Sequence, residues 1–174
     1  ELAGSPLLRG YAFLSGKPCL VLFNNGDEDE SLPELGTGAD RETCIAIRGK
    51  LEQELAQMAP DEAEGFLAEF DIRDPAMGRM IKASYALLGL ISFFTVGEDE
   101  VRAWTVRKGS AAVDAADEIH SDIKKGFIRA EVLAYDDFMA AGTYAAARKQ
   151  GTVRLEGKTY EVQDGDIINF RFNV

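Results

Sequence analysis

The sequence predicts an α+β protein: a β-grasp domain preceded by a helical hairpin and by a remnant of an open α/β sheet. Three observations carry this. The hydrophobic period changes near residue 90 from three-and-four spacing to alternation. The last 84 residues read strand–strand–helix–strand–helix–strand–strand, the order of a mixed sheet cradling one main helix. The first 58 residues contain only two strand patterns, too few for a complete α/β domain. The expected boundaries are 1–59, 60–90 and 91–174.

Taken in order, PLLRGYAFL (6–14) reads as the end of a helix, broken by Gly16 and Pro18. CLVLF then runs without alternation, as a strand buried on both faces of a parallel sheet does. Residues 24–41, rich in Gly, Asp, Glu and Pro, predict a long or partly disordered loop. TCIAI is a second short buried strand, and GKLEQELAQM follows as a helix. Pro60 and acids in the first turn open the next helix, where the helix dipole favours them. Ala63, Phe66, Leu67 and Phe70 give it an apolar face. After Pro75, Met77, Met80, Ile81, Ser84, Tyr85 and Leu88 form one stripe of a second helix.

ISFFTV and EVRAWTV flank the acidic turn GEDE and predict a β-hairpin with a four-residue loop. Ser110 is a candidate N-cap for AAVDAADEI. GFIRAEVLAY alternates, which places Ile128, Ala130 and Val132 on one face and Phe127, Arg129 and Glu131 on the other. DDFMAAGTYAAARK is helical with a break at Gly142. TVRLEG, KTYEV and DIINFRFNV close the chain as strands, with Ile168, Phe170 and Phe172 turned inward.

Composition bounds the function. The 174 residues carry a formal net charge of −11, with 8 Lys/Arg against 16 Asp/Glu in residues 1–90 and 11 against 14 in residues 91–174. Such an acidic chain is not expected to bind duplex DNA indiscriminately, because that binding rests on clustered cations. No apolar run approaches a membrane span of roughly 20 residues, so no membrane partner is expected. Cys19 and Cys44 lie in apolar strand patterns, where buried free thiols in a reducing cytoplasm are expected. The chain opens at Glu1 with neither a Met nor a charged-then-apolar leader, which suggests a piece of something longer.

Four groups of residues bear on chemistry. Asn24 and Asp27 stand three apart at the carboxyl end of a strand, where ligands of open α/β sheets bind. A carboxylate there can accept two planar donors from a guanine edge. Asn-Asn-Gly-Asp is equally the chemistry of a turn. The second strand ends in Arg48-Gly49-Lys50, whose backbone N–H groups can face a base from the other side. Gly157-Lys158-Thr159 imitates the end of a phosphate loop, but five residues separate it from Gly151 where four are required, and its context is a hairpin turn. His120, the sole histidine, reads as a structural or capping group, with Asp117 and Asp122 as the partners a catalytic role would need. No second His or Cys pair supports a metal site. Arg102, Arg107, Lys108, Lys124, Lys125 and Arg129 flank loops that a β-grasp brings to neighbouring edges, and Arg129 shares its expected face with Phe127. That pairing suits RNA or an RNA–protein surface, and a solvated face with interspersed glutamates is the alternative.

EVRAWTVRKG, IHSDIKKGFIRAEV and QDGDIINFRFNV, within a span from about Arg48 to Val174, closely resemble the carboxyl-terminal region of the YchF family, the Obg-like P-loop NTPases. In that family this region is the TGS domain, a β-grasp module. KPCLVLFNNGDE resembles the strand and loop that bear the base-recognition motif, and TCIAIRGKLEQEL the last nucleotide-loop strand and its helix. The resemblance implies base-binding roles for Asn24, Asp27, Gly49 and Lys50 in a parent protein that takes ATP or GTP with Mg2+. Family members usually read N-x-x-E, so Asp27 leans the choice back toward guanine. Of the family's small–Ala–Lys triplet only Lys50 remains. The phosphate loop, switches and magnesium ligands lie upstream in the family. The chain alone is therefore expected to hold no cofactor or metal and to hydrolyse nothing. The implied partner is the ribosome, RNA or a translation-related protein, met in the cytoplasm through Arg107, Lys108, Lys124, Lys125 and Arg129. The alternative is a free-standing TGS-like protein-interaction module with no nucleotide role.

Overall fold

The computed structural model describes residues 6–34, 43–70, 72, 74–97 and 99–173. It divides into two compact units, Glu1–Leu88 and Gly89–Val174.

In the first unit the expected opening helix is a 3-10 turn, Pro6–Tyr11, followed by a second short one, Leu14–Gly16. Strand β1 (Val21–Asn24) pairs in parallel with β2 (Cys44–Ile47), in register from Val21 opposite Cys44 to Asn24 opposite Ile47. The run expected to be buried on both faces is not: Val21 and Leu22 are 37% and 40% exposed. Among the described residues β1 has one neighbouring strand, and nothing comparable to the layers of a complete α/β domain covers it. Cys19 is likewise exposed, which corrects the expectation of two buried thiols, whereas Cys44 is buried. Residues 35–42 of the expected long loop lie outside the described residues.

Helix α1 (Gly49–Leu55) buries Leu51. Helix α2 (Pro60–Glu69) starts with Pro60, Asp61 and Glu62, as its sequence requires. Helix α3 (Ala76–Leu88) begins where the Ala76 N–H donates to Glu52 Oε1 at 2.7 Å, so a carboxylate from α1 satisfies an amide left open by the first turn. The apolar stripe of α3 is open: Met77, Ile81 and Leu88 are at least half exposed.

The second unit is a five-stranded mixed sheet with helices. Its strands are β3 (Leu90–Val96), β4 (Val101–Arg107), β5 (Phe127–Leu133), β6 (Arg154–Glu156) and β7 (Ile167–Phe172), in the order β4-β3-β7-β5-β6. The β3–β7 pair is parallel and the rest are antiparallel. The hairpin between β3 and β4 is in register throughout, from Leu90 opposite Arg107 to Val96 opposite Val101. KTYEV forms no strand, only an isolated bridge between Ala111 and Glu161.

One face of the sheet meets helix α4 (Ala112–Ile119) in a core that contains Phe93, Val132, Val162 and Ile168, each at most 1% exposed. Phe170 packs edge-on to both Phe93 and Phe127. The opposite face is partly covered by α6 (Tyr135–Ala141) and α7 (Tyr144–Gln150), where Ala147 of α7 packs with Leu133 and Ile167 of the sheet.

Three local expectations are corrected. A β-bulge between Phe127 and Arg129 shifts the alternation, so Phe127 is buried in the main core and Ile128 is 56% exposed. Arg129 therefore does not share a face with Phe127. Phe172 is 43% exposed, because the strand runs past the covered part of its face. Ser110 does not cap α4: the N-cap is Ala111, and the first amides donate to backbone carbonyls, Ala112 to Tyr160 at 2.7 Å and Val113 to Lys158 at 3.3 Å. His120 caps α5 (Ser121–Lys125), its Nδ1 accepting the Asp122 N–H at 3.1 Å.

Candidate functional site

The carboxyl ends of β1 and β2 bring Asn24, Asp27, Gly49 and Lys50 together. Asn24 ends β1, and its Oδ1 accepts the Gly49 N–H at 2.9 Å, across 25 positions of chain. Arg48, the N-cap of α1, makes no side-chain cap, so Asn24 satisfies the first amide of that helix from a neighbouring strand. The contact requires glycine: a Cβ at position 49 would lie 2.7 Å from Asn24 Oδ1. The Asn25 N–H donates to the Ile47 carbonyl at 2.8 Å and extends the β1–β2 pairing into the loop. Beyond it, Asn25 Nδ2 donates to the Ser31 carbonyl at 2.7 Å, and Asp29 Oδ1 accepts both the Ser31 N–H and hydroxyl. These bonds, the hydroxyl's above all, hold the Asp29 carboxyl below its ordinary pKa.

Asp27 Oδ2 meets Lys50 Nζ at 3.2 Å, with the lysine side chain 71% exposed. A solvated pair of this kind contributes about 0–1 kcal/mol.

Arg48 secures the loop from behind. Its guanidinium side chain, 12% exposed, pairs with Glu30 at 2.6 Å and donates to the carbonyls of Asp27 at 3.4 Å and Phe70 at 3.1 Å. It borders a cavity of about 340 Å³ lined also by Glu30, Ala46, Glu52, Ile72, Asp74 and Arg79.

The basic residues of the second unit are not one face. Lys124 pairs with Asp114 at 3.1 Å and Asp117 at 3.0 Å, and these carboxylates, Asp117 first, raise its pKa. Lys125 pairs with Asp122 at 3.2 Å. Arg102 stacks on Trp104, 4.1 Å from the ring centroid. Arg107 and Lys108 sit at the end of β4, an edge strand, exposed. Arg129 is exposed on β5 and makes no ion pair with a described residue.

The register places Arg129 opposite Arg171 on β7. Arg171 donates to Glu131 Oε1 at 3.1 Å, while Arg148 from α7 donates to Glu131 Oε2 at 2.8 Å. Glu131 is 8% exposed, and Tyr144 approaches its second oxygen at 3.5 Å. Burial, followed by the Glu131 charge, raises the Tyr144 pKa. Spacing along the sequence does not single out Arg148 and Arg171. The one signal for Arg171 is the alternation in INFRF, which turns Asn169 and Arg171 away from Ile168 and Phe170. No group of three or more His, Cys, Asp or Glu side chains arranged for a metal occurs among the described residues. None of the described helices is long and apolar enough to cross a membrane.

Residues 90–173 match the family model YchF-GTPase_C, described as "Protein of unknown function (DUF933)". The chain is 44% identical over 178 residues to a "Ribosome-binding ATPase YchF" of Bacillus subtilis, covering 97% of this chain and 48% of that protein. It is 41% identical over 177 residues to "Obg-like ATPase 1" of Gallus gallus, covering 96% and 44%. Its structure superposes on that of the Schizosaccharomyces pombe YchF GTPase with a TM-score of 0.81 and 30% identity, covering 95% of this chain and 46% of that one. The chain spans about half the length of the relatives it matches. Matched almost end to end in sequence and in fold, it corresponds to the C-terminal portion of the YchF/Obg-like ATPase family, with the YchF C-terminal (TGS) domain included.

Proposed function

We propose that this chain supplies two parts of a YchF-type nucleotide-binding protein: the edge that reads the base, and a β-grasp TGS module that docks on the ribosome or its RNA in the cytoplasm. The observation that carries the first part is the clasp at the strand ends, where Asn24 Oδ1 holds the Gly49 amide and Asp27 faces Lys50. A turn formed for its own sake does not need an amide 25 positions away. Arg48 then ties the base loop to Phe70 at the end of α2, so the helical segment 60–90 senses how that loop is held.

The docking part is supported by the relatives named ribosome-binding, and by a sheet order that sets the first and last strands of this unit side by side, flanked by two antiparallel edge pairs, with α4 across one face. That order supports reading the unit as a β-grasp. Phosphoryl transfer is mostly positioning and charge stabilisation by a phosphate loop and Mg2+. None of the described residues offers those parts, so the chain alone binds and hydrolyses no nucleotide on this reading. Relatives carry both ATPase and GTPase in their names. Asp27 favours guanine, since a carboxylate one methylene shorter than Glu keeps its oxygens close to the strand end for two base donors.

Ribosome co-sedimentation and nucleotide titration of the 174-residue chain test both parts. Co-sedimentation without measurable ATP or GTP binding is expected. Micromolar nucleotide binding by the chain alone contradicts the division of labour, and failure to co-sediment contradicts the docking role.

A further inference from the structure

We propose that the docking surface is the open half of the sheet face opposite α4, and that Arg129 and Arg171 on it grip the phosphate backbone of RNA. This names the partner of the module whose docking role was proposed above, and rests on that reading.

The register sets the two arginines directly opposite each other on β5 and β7. Side chains so placed have Cβ atoms roughly 5 Å apart, and like charges there are destabilising. A fold would not be expected to hold two guanidiniums side by side on an open strand pair without a counter-charge. Glu131 is the counter-charge present, and it is already shared between Arg171 and Arg148. Two arginines thus share one buried carboxylate while a third, Arg129, stands opposite Arg171, leaving a local excess of positive charge in a chain whose net charge is −11. Arg148 and Arg171 side chains are each 55% exposed, so their forks are anchored on one side and open on the other.

The shape fits RNA. Asn169 shares this face and is exposed, and Leu155 opposite Glu131 is 60% exposed, so the arginines stand on a flat strand surface with a donor and an apolar shelf beside them. Planar guanidiniums held by a buried acid present paired donors to phosphate oxygens. By contrast, Lys124 is paired with Asp114 and Asp117 of the neighbouring helix α4, and Lys125 with Asp122 of its own helix. Those two lysines, prominent in the sequence, are not the contact.

The test measures binding of the full chain to a fluorescein-labelled oligouridylate and to a labelled RNA hairpin across a salt series, beside ribosome co-sedimentation. Three variants are compared with wild type: Arg129→Gln, Arg129→Gln/Arg171→Gln, and Lys124→Gln/Lys125→Gln, with thermal unfolding as the fold control. Arg129→Gln removes a side chain with no ion-pair partner among the described residues, so it separates docking from folding. The expected result is a loss of about tenfold for the double arginine variant, and a fall of about 1.5 in the slope of log K against log salt, roughly 0.7–0.9 for each phosphate no longer neutralised. The lysine variant keeps the wild-type slope. A wild-type slope in Arg129→Gln/Arg171→Gln, with RNA still bound, overturns the surface and leaves the docking reading standing. Ribosome co-sedimentation with neither RNA probe bound overturns RNA in favour of a protein contact. Absence of both overturns the docking reading itself.

Discussion

The two units differ in how much of their apolar surface they bury themselves. In Gly89–Val174 the sheet has a packed core on one face, with Phe93 and Val132 fully buried, and a second cluster around Leu133 and Ala147 on the other. In Glu1–Leu88 the strand β1 lies half open, and the buried apolar side chains among the described residues are only Cys44, Ala46, Leu51, Ile72 and Ala76. Stability follows burial at roughly 25 cal/mol per Å² of apolar surface, so the second unit has the means to hold itself together and the first depends on further covering. The unit proposed to dock is thus the self-sufficient one, and the unit proposed to read a base is the dependent one.

The largest expected effect is in the core. Phe93→Ala should destabilise the second unit by about 3–5 kcal/mol. It should be read by the fluorescence of Trp104, the sole tryptophan, whose Nε1 donates to Thr95 on the neighbouring strand. In wild type, far-UV circular dichroism should begin to fall at lower denaturant than Trp104 fluorescence, because the first unit opens first. Coincident transitions by the two probes would erase the contrast between the units.

Gly126→Ala comes next. A Cβ there would collide with the backbone carbonyl of Asn173, whose own N–H donates to the Gly126 carbonyl at 2.9 Å. Backbone cannot swing aside as a side chain can, so a destabilisation of about 1–3 kcal/mol is expected in the same fluorescence assay. Gly49→Ala in the first unit should cost only the Asn24 bond, about 1 kcal/mol. It should leave the Trp104 transition unmoved. A shift of that transition would show that the units are energetically coupled.

A smaller effect distinguishes the second unit by pH. Tyr160 donates to Asp166 at 2.7 Å, while Arg154 donates to the Tyr160 oxygen at 3.0 Å. Burial first, then the bond to Asp166, pushes the Tyr160 pKa up to about 12. Its folded pKa thus exceeds the unfolded value near 10. The folded state keeps the proton longer, so this contribution is complete below pH 10 and disappears as pH rises toward 12. Tyr160→Phe should be less stable than wild type near neutral pH and should flatten the decline between pH 10 and 12. Parallel curves for the two proteins would contradict that role.

Much of the second unit is legible in the sequence because periodicity and turn chemistry agree there. The acidic GEDE turn between two alternating runs specifies the hairpin, and the break at Gly142 separates two helices. What is not legible depends on geometry that sequence spacing does not encode. The bulge after Phe127 reverses the side to which Phe127 and Ile128 point, and nothing in FIRA announces it. The failure at CLVLF has a different cause: an apolar run reports the covering a strand needs, not the covering present among these residues. At the candidate site, spacing finds Asn24 and Asp27, and only folding shows the partnership of Asn24 with Gly49. For the basic residues, counting cations along the chain cannot show which are already paired. Lys124 finds its counter-charges on the preceding helix and Lys125 on its own, while Arg171 lies far in sequence from Arg129, its opposite number.

The measurement that bears most directly on the proposed division between a docking unit and a base-reading unit is ribosome co-sedimentation of the chain with and without added ATP or GTP. The chain should sediment with ribosomes to the same extent in all three conditions. Sedimentation that requires either nucleotide, or none at all, would contradict it.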